Sequence, residues 1–397
     1  MISVEEARQR ITGSFAALPP EQVGLSEALG RVLAEDVAAR MTQPPVAVSA
    51  MDGYAVRAAD IQSVPATLER IGEAPAGEAF AGEVRPGQAV RIFTGGPVPP
   101  GADAIVIQED TETDGKTVTV KESAAEGRYI RPAGLDFREG DIGLHTGRVL
   151  TARDIGLAAA MNVPWLGVRR RPRIAILATG DEVVMPGDRL GPNQIVSSNG
   201  PALAAFVTAN GGAPVNLGIA ADTSDALKSM AAGAKGADLL VTSGGASVGE
   251  HDLVQSALGE VGFEVDFWRV AMRPGKPLMF GRLGDTPLLG LPGNPVSSLV
   301  CAVLFLGPIM ETMLGLDRGN EPPVQATLGA DLGENDRRQD YLRARLSRDG
   351  DGNHVATPFE RQDSSMLFTL VQSDCLVVRP PHAPPAKKGE RVEIILL

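Results

Sequence analysis

The chain has 397 residues, 43% of them hydrophobic and 22% charged, with a formal net charge of -12. That length is well past the point at which one hydrophobic core stops growing, so several domains are expected, and the ordinary composition argues against long disorder. A negative balance without any Lys/Arg block argues against bulk nucleic-acid binding, which needs a basic face to neutralise phosphates.

Cys301 and Cys375 lie far apart and form no CxxC spacing, so neither a disulfide framework nor a structural zinc site is expected. The N-terminus reads as polar and amphipathic rather than as a signal peptide, and no spanning stretch of about 20 apolar residues is expected. A cytoplasmic protein with no membrane partner follows. Gly 46 and Pro 30 imply many tight turns but show no repeat period.

Ser3 and Glu6 have capping-box spacing, and Val4, Ala7, Ile11 and Leu18 recur at helical spacing, which predicts a first helix to about Leu18. A short second helix is predicted from Ser26 to near Gly30. After the Pro-rich run at 42–46 the pattern changes to short strands, with turns at Arg85-Pro86-Gly87, Pro100-Gly101-Ala102-Asp103 and Asp114-Gly115. Residues 117–121 alternate as a half-buried strand does. An Ala-rich helix is predicted over 151–161, and Arg169-Arg170-Arg171-Pro172 leads into a new organisation.

From Ile174 onward apolar strands at 173–178, 215–219, 238–242, 265–270 and 288–289 alternate with helices. These helices are predicted at 199–210, from Thr223, between 242 and 265, and from Pro295 to about Leu314. Such alternation predicts a parallel-rich α/β sheet with right-handed crossovers. Beyond Glu321 strands return, with alternation at 341–346, an Asp-Gly-Asp-Gly hairpin turn at 349–352 and a last strand at 391–396. The fold class is therefore multidomain α/β plus β. Residues 1–45 and 137–169 are expected to form a discontinuous helical or elongated domain, 46–136 an inserted small β domain, 170–320 the α/β domain, and 321–397 a small C-terminal β domain.

In an open parallel sheet ligands bind beyond the carboxyl ends of the strands, and four such loops are rich in candidate groups. Thr179-Gly180-Asp181-Glu182 follows the first strand, and a Gly-rich loop with Ser243, Gly244, Gly245 and Ser247 follows a later one. Glycines there would let backbone N–H groups approach a phosphate, although a plain tight turn has the same composition. Arg273 and Lys276 flank Pro274-Gly275, which would hold two cations together for an oxyanion or leave them to surface ion pairs. Pro292, Gly293, Asn294 and Ser297 belong to the fourth loop. Asp181, Glu182 and Asp252, carboxylates beside an anion loop, suggest Mg²⁺ bridging phosphate oxygens, with helix capping as the alternative. For Asp222 capping is the favoured reading, because Asp222 and Asp225 have the spacing of a capped helix start.

Outside the sheet, Asp52 is the single acid of the apolar stretch 49–55, as in a lined pocket, and Thr94 offers a hydroxyl beside Gly95-Gly96. Asp136 lies in a mixed-charge run that could equally be a solvated face. The four histidines, at 145, 251, 354 and 382, show no metal or triad spacing.

Taken in order, the stretches 49–56, 92–97, 179–182, 242–252, 274–277 and 291–297 closely resemble the MoeA family and the related E domain of gephyrin. The resemblance covers essentially the whole chain. It implies a molybdopterin-binding α/β fold, a C-terminal small β-barrel and a homodimer whose cleft is shared between subunits. The implied reaction is insertion of molybdenum from molybdate into adenylylated molybdopterin, with hydrolysis of the pyrophosphate link and release of AMP. Mg²⁺ is the implied metal, and contact with the adenylyltransferase of the same pathway is a further implied partnership. That adenylyltransfer reaction, or a non-catalytic scaffold, is the alternative for this fold.

By the resemblance, Asp52, Glu182 and Asp252 are catalytic, the latter two as metal ligands, while Thr94, Asp136, Thr179, Gly180, Asp222 and the Gly-rich and 292–297 loops bind substrate. Arg273, Lys276, Arg343, Ser364 and Ser365 fall where the family holds molybdate. The chain departs from the family in having Arg273 where Lys is frequent, Ala246 for Val, and Gly96 for Ala.

Overall fold

In the computed structural model, which describes residues 1–244, 259, 262–316 and 322–397, the chain divides into two compact units. One comprises residues 22–168; the other joins residues 1–21 to 169–397.

Helix α1 (Val4–Thr12) is capped by Ser3, whose Oγ accepts from the Glu6 N–H at 3.0 Å. It ends well short of the predicted Leu18. Thr12 and Ser14 return their hydroxyls to the carbonyls of Arg8 and Arg10, at 2.9 and 3.0 Å, and Gly13 between them ends the helix. The buried Val4, Ala7 and Ile11 join the core of the second unit with Ile174, Leu203 and Phe305. The first helix therefore serves the α/β layer rather than a helical domain with residues 22–45.

The 22–168 unit is built on strands β1 (Gly53–Val56), β2 (Ala66–Ala74), β3 (Gln88–Ile92), β4 (Ala104–Ile107), β5 (Thr111–Thr113) and β6 (Thr117–Val120). They pair in the order β4-β1-β3-β2-β6-β5, with only β2 and β3 parallel. β1, an interior strand, is buried on both faces: Tyr54 and Val56 pack with Leu68 and Val118, and Ala55 with Val90 and Ile105. The predicted helix at 26–30 is a single 3₁₀ turn, Leu25–Glu27. Helix α2 (Ala152–Ala160) carries a capping box in which Asp154 Oδ2 accepts from the Thr151 N–H at 2.8 Å and its hydroxyl at 2.7 Å.

In the second unit, β7 (Arg173–Thr179), α3 (Asn199–Ala209), β8 (Ala213–Ala220), α4 (Ser224–Ala231), β9 (Leu239–Ser243), β10 (Phe263–Trp268), β11 (Met279–Leu283) and β12 (Thr286–Leu291) form a sheet of order β8-β7-β9-β12-β11-β10. The first four strands are parallel, as the alternation of strands and helices predicts. β11 alone runs against them, because only Gly284 and Asp285 separate it from β12 and a two-residue turn joins antiparallel strands; β10, antiparallel to β11, runs in the same direction as the first four.

Helices α5 (Pro295–Cys301) and α6 (Gly307–Leu314) are joined by a π-helical turn, Ala302–Leu306. Pro308 lacks an N–H for the carbonyl of Leu304, and the looser turn absorbs that break. The continuous run Pro295–Leu314 is 20 residues long, and it is long and apolar enough to cross a membrane, so the expectation that no such stretch exists is corrected. It is 72% buried, with Val300, Phe305 and Ile309 in the core. Its apolarity is that of a core helix.

The remaining chain closes a five-stranded barrel from β13 (Val324–Leu328), β14 (Gln339–Arg348), β15 (His354–Pro358), β16 (Cys375–Arg379) and β17 (Arg391–Leu396), in the order β14-β15-β13-β17-β16 with β16 returning to β14. A short helix, α7 (Leu367–Val371), precedes β16. Met272 and Arg273 add a short parallel pair to Gln339 and Asp340, which ties the segment after β10 to the barrel.

Candidate functional site

β8 and β9 flank β7 on opposite sides, so the chain connections diverge at the carboxyl ends of β7 and β9, the place where open α/β sheets bind ligands. A cleft of ≈ 1030 Å³ opens there, walled by the ends of β7, β9 and β12, the Arg273–Pro277 loop and the barrel segment 362–365. Thr179, Gly180, Glu182, Asp222, Ser243 and Gly244 line its sheet side, and Pro292, Gly293, Asn294 and Ser297 the start of α5. Gly244 has φ +100, and a Cβ on it would lie 2.6 Å from the carbonyl oxygen of Thr179. Only glycine lets the loop leave β9 this close to β7.

The acidic wall is crowded. Asp181 Oδ1 accepts from the Asp222 N–H at 2.9 Å, and burial, then Asp181 and Glu182, push the Asp222 carboxyl above its ordinary range. Asp222 does not cap α4: Thr223 does, its Oγ1 accepting from the Ala226 N–H at 3.3 Å. Sequence spacing pointed one residue too early because Asp and Thr are both favoured caps and stand side by side here.

On the opposite wall the two cations behave differently. Lys276 is half-buried and has no carboxylate at ion-pair distance among the described residues. Arg273 is ion-paired to Asp340 and, at 3.4 Å, to Asp336, with Asn335 Oδ1 also 3.4 Å from Nη2. Among the described residues the expected pair of oxyanion cations is thus one cation without a carboxylate partner and one compensated within the fold. The short ladder to Asp340 explains this, since it brings a buried carboxylate beneath the guanidinium.

Arg343 is 1% exposed and does not line the cleft. It stands behind Gln362, with Nε donating to Gln362 Oε1 at 3.2 Å, Nη1 to the Met366 carbonyl at 3.3 Å, and Nη2 without a partner among the described residues. Burial disfavours its charge and Asp363 supports it. Ser364 Oγ accepts from Asn294 Nδ2 at 2.9 Å, whereas Ser365 donates to Asp363.

Sequence reasoning missed Asn199, Arg338, Gln362 and Asp363, all of which line the cleft. The signal for Asn199 was the polar run Ser197-Ser198-Asn199 that leads into the first crossover helix and ends on its first residue. Gln362 and Asp363 stood beside the noted serines, but nothing local marks a barrel loop as facing a sheet.

In the 22–168 unit, Asp52 and Thr94 come together: Asp52 Oδ1 accepts from the Thr94 N–H at 2.7 Å and its hydroxyl at 2.8 Å. These bonds, with Arg91, hold the Asp52 carboxyl below its ordinary range. Arg91 lies over the rings of Tyr54 and Phe93 and donates to the Gly53 carbonyl at 3.1 Å. Asp136 donates its N–H to the Gln43 carbonyl at 3.0 Å. Gly245, Ser247 and Asp252 lie outside the described residues.

Among the described residues no three His, Cys, Asp or Glu side chains are grouped to hold a metal by themselves. Mg²⁺ would fit the acidic wall, because it is commonly held by one or two carboxylates plus substrate phosphates, and Glu182 and Asp222 both line the cleft there, the Asp222 carboxyl raised by burial first and then by Asp181 and Glu182.

Three family models cover most of the chain: the MoeA N-terminal region (domain I and II) matches residues 2–162, a probable molybdopterin binding domain 175–312, and the MoeA C-terminal region (domain IV) 325–397. Molybdopterin molybdenumtransferase 2 of Mycobacterium tuberculosis is 38% identical over 356 residues, 87% of this chain and 88% of that protein. Molybdopterin molybdenumtransferase of Haemophilus influenzae is 33% identical over 398 residues, 99% of this chain and 98% of that protein. Among solved structures, the molybdopterin biosynthesis moea protein from Pyrococcus horikosii aligns with a TM-score of 0.87 and 31% identity, covering 100% of this chain and 99% of its own.

Proposed function

This chain belongs to the MoeA family of molybdopterin molybdenumtransferases, and on that premise we propose that it inserts molybdenum from molybdate into adenylylated molybdopterin and releases AMP. The observation that carries the reading is the polarity of the cleft. One wall presents Asp222 and Glu182, and the other presents Lys276, Asn294 and Ser364.

In this reading that cation and the neighbouring hydroxyl hold molybdate. Among the described residues Lys276 has no competing carboxylate, and Ser364, already accepting from Asn294, donates its own proton to none of them. Arg343 supports that corner from behind by fixing Gln362 and the turn after it. Thr179, Ser243 and the backbone at Gly244 and Gly293 face the phosphates at the strand ends.

Glu182 and Asp222 are the described residues that would hold Mg²⁺, with Asp252 added on sequence grounds; the ion would neutralise phosphate charge during cleavage of the link. Asp52, kept ionised by Thr94, is the carboxylate of the 22–168 unit assigned to the substrate. A cytoplasmic location and a homodimer complete the proposal, the first supported by two free, buried cysteines and the second by family membership.

The test is to incubate the purified protein with adenylylated molybdopterin, Mg²⁺ and micromolar molybdate. AMP release that depends on molybdate is the expected result. Equal release without molybdate, or none with it, defeats the reading.

A further inference from the structure

The side-chain amide of Asn199 spans two of the strand-end loops. Its Nδ2 lies 2.7 Å from Ser243 Oγ and 2.8 Å from the carbonyl oxygen of Gly293. A carbonyl oxygen only accepts, so the amide atom facing Gly293 has to be the nitrogen; the flipped amide would set two acceptors against each other. The same nitrogen therefore faces Ser243, and because it carries only donors it occupies a lone pair of that hydroxyl. The Ser243 proton must find its acceptor elsewhere. Ser243 is 4% exposed and lines the cleft, and no acceptor for its proton stands within reach among the described residues. Beside it the buried hydroxyl of Thr179 also has no partner among the described residues.

We infer that Asn199 is a positioning residue that makes Ser243 an obligatory hydrogen-bond donor into the cleft, where it serves a phosphate-class oxygen of the substrate. A phosphoryl oxygen carries lone pairs and no proton, so it matches a hydroxyl that already accepts from Asn199 and still has its proton to give. The inference rests on the proposed function for the identity of that phosphate. It adds which residue sets the direction of the donor.

Asn199→Asp separates this role from simple packing. The substitution keeps the shape but offers only acceptors, so the carboxylate repels the Gly293 carbonyl and captures the Ser243 proton. Asn199→Ala merely frees the hydroxyl to turn. With inorganic pyrophosphate and AMP as probes, read by calorimetry on the full chain, affinity should fall roughly tenfold or more in Asn199→Asp and less in Asn199→Ala. Ser243→Ala should lose affinity alone, and adding Asn199→Asp to it should cost little more.

Melting temperatures without ligand provide the control, since a purely structural clamp would weaken binding only in step with lost stability. Wild-type affinity in Asn199→Asp, a larger loss in Asn199→Ala than in Asn199→Asp, or no binding of either probe by the wild type would overturn the inference. Molybdate-dependent AMP release by the wild type is measured separately, so a wild type that turns over while Asn199→Asp keeps its affinity leaves the proposed function standing and removes this one.

Discussion

The Ser365 hydroxyl donates to Asp363 Oδ1 at 2.6 Å, and the Ser365 N–H donates to the same oxygen at 2.8 Å. That hydroxyl is spent inside its own turn, and its bonds hold Asp363 below the ordinary carboxylate range. Ser364, one residue earlier, accepts from Asn294 and donates to no described residue. The two serines, equivalent in sequence, should therefore separate in kinetics. Ser364→Ala should raise the molybdate KM by roughly tenfold, the worth of one hydrogen bond to a charged ligand. Ser365→Ala should leave it within about threefold and instead raise the Asp363 pKa, as followed by carboxyl NMR. Equal KM effects would mean that both hydroxyls reach the anion.

Arg273 offers a second separation. Its partner Asp340 is 4% exposed, with Oδ1 unpaired, so the guanidinium is the main counter-charge of a buried carboxylate. Arg273→Lys keeps the charge but loses the planar fork, and should lower stability by about 1 kcal/mol, a buried-pair figure discounted because Arg273 is half exposed. The molybdate KM should change little. Chemical denaturation alongside steady-state kinetics checks both, and a large KM change at unaltered stability would return Arg273 to the anion site.

These cases indicate what could be read without coordinates. The parallel strands, the 349–352 turn and the last strand were legible because local periodicity and turn chemistry decide them. β11 was not, since nothing in its own residues marks a strand added antiparallel through a two-residue turn. The cleft loops were legible as Gly- and Pro-rich strand ends. What each side chain does there was not: whether Arg273 faces a ligand or Asp340 depends on a ladder to a strand 67 residues later.

The two thiols give a third prediction. Cys301 is fully buried beside the Gly275 carbonyl, and burial raises its pKa; Cys375 is pushed up to about 11 by burial and Asp374. Neither is a thiolate near pH 8, so a disulfide reagent should modify neither in the native protein and both after denaturation. Rapid native modification of either, scored by intact mass, would contradict the packing of the helix under the Lys276 loop or of the barrel.

Thr94 and Asp52 give the last. The Asp52 carboxyl is depressed first by the Thr94 N–H, then by its hydroxyl, and also by Arg91. Thr94→Val removes only the hydroxyl bond, so the folded pKa should rise part of the way toward about 3.9, the unperturbed aspartate value. The sign follows from linkage. A depressed carboxylate contributes stability that is present above its unfolded pKa and is lost as pH falls through its folded pKa, so Thr94→Val should shrink that contribution at neutral pH and bring its loss to higher pH on acidification. Carboxyl NMR of Asp52 between about pH 2 and 6 reads the shift around that reference value. An unchanged midpoint would show that the backbone N–H alone holds the charge, and that the hydroxyl is free for substrate.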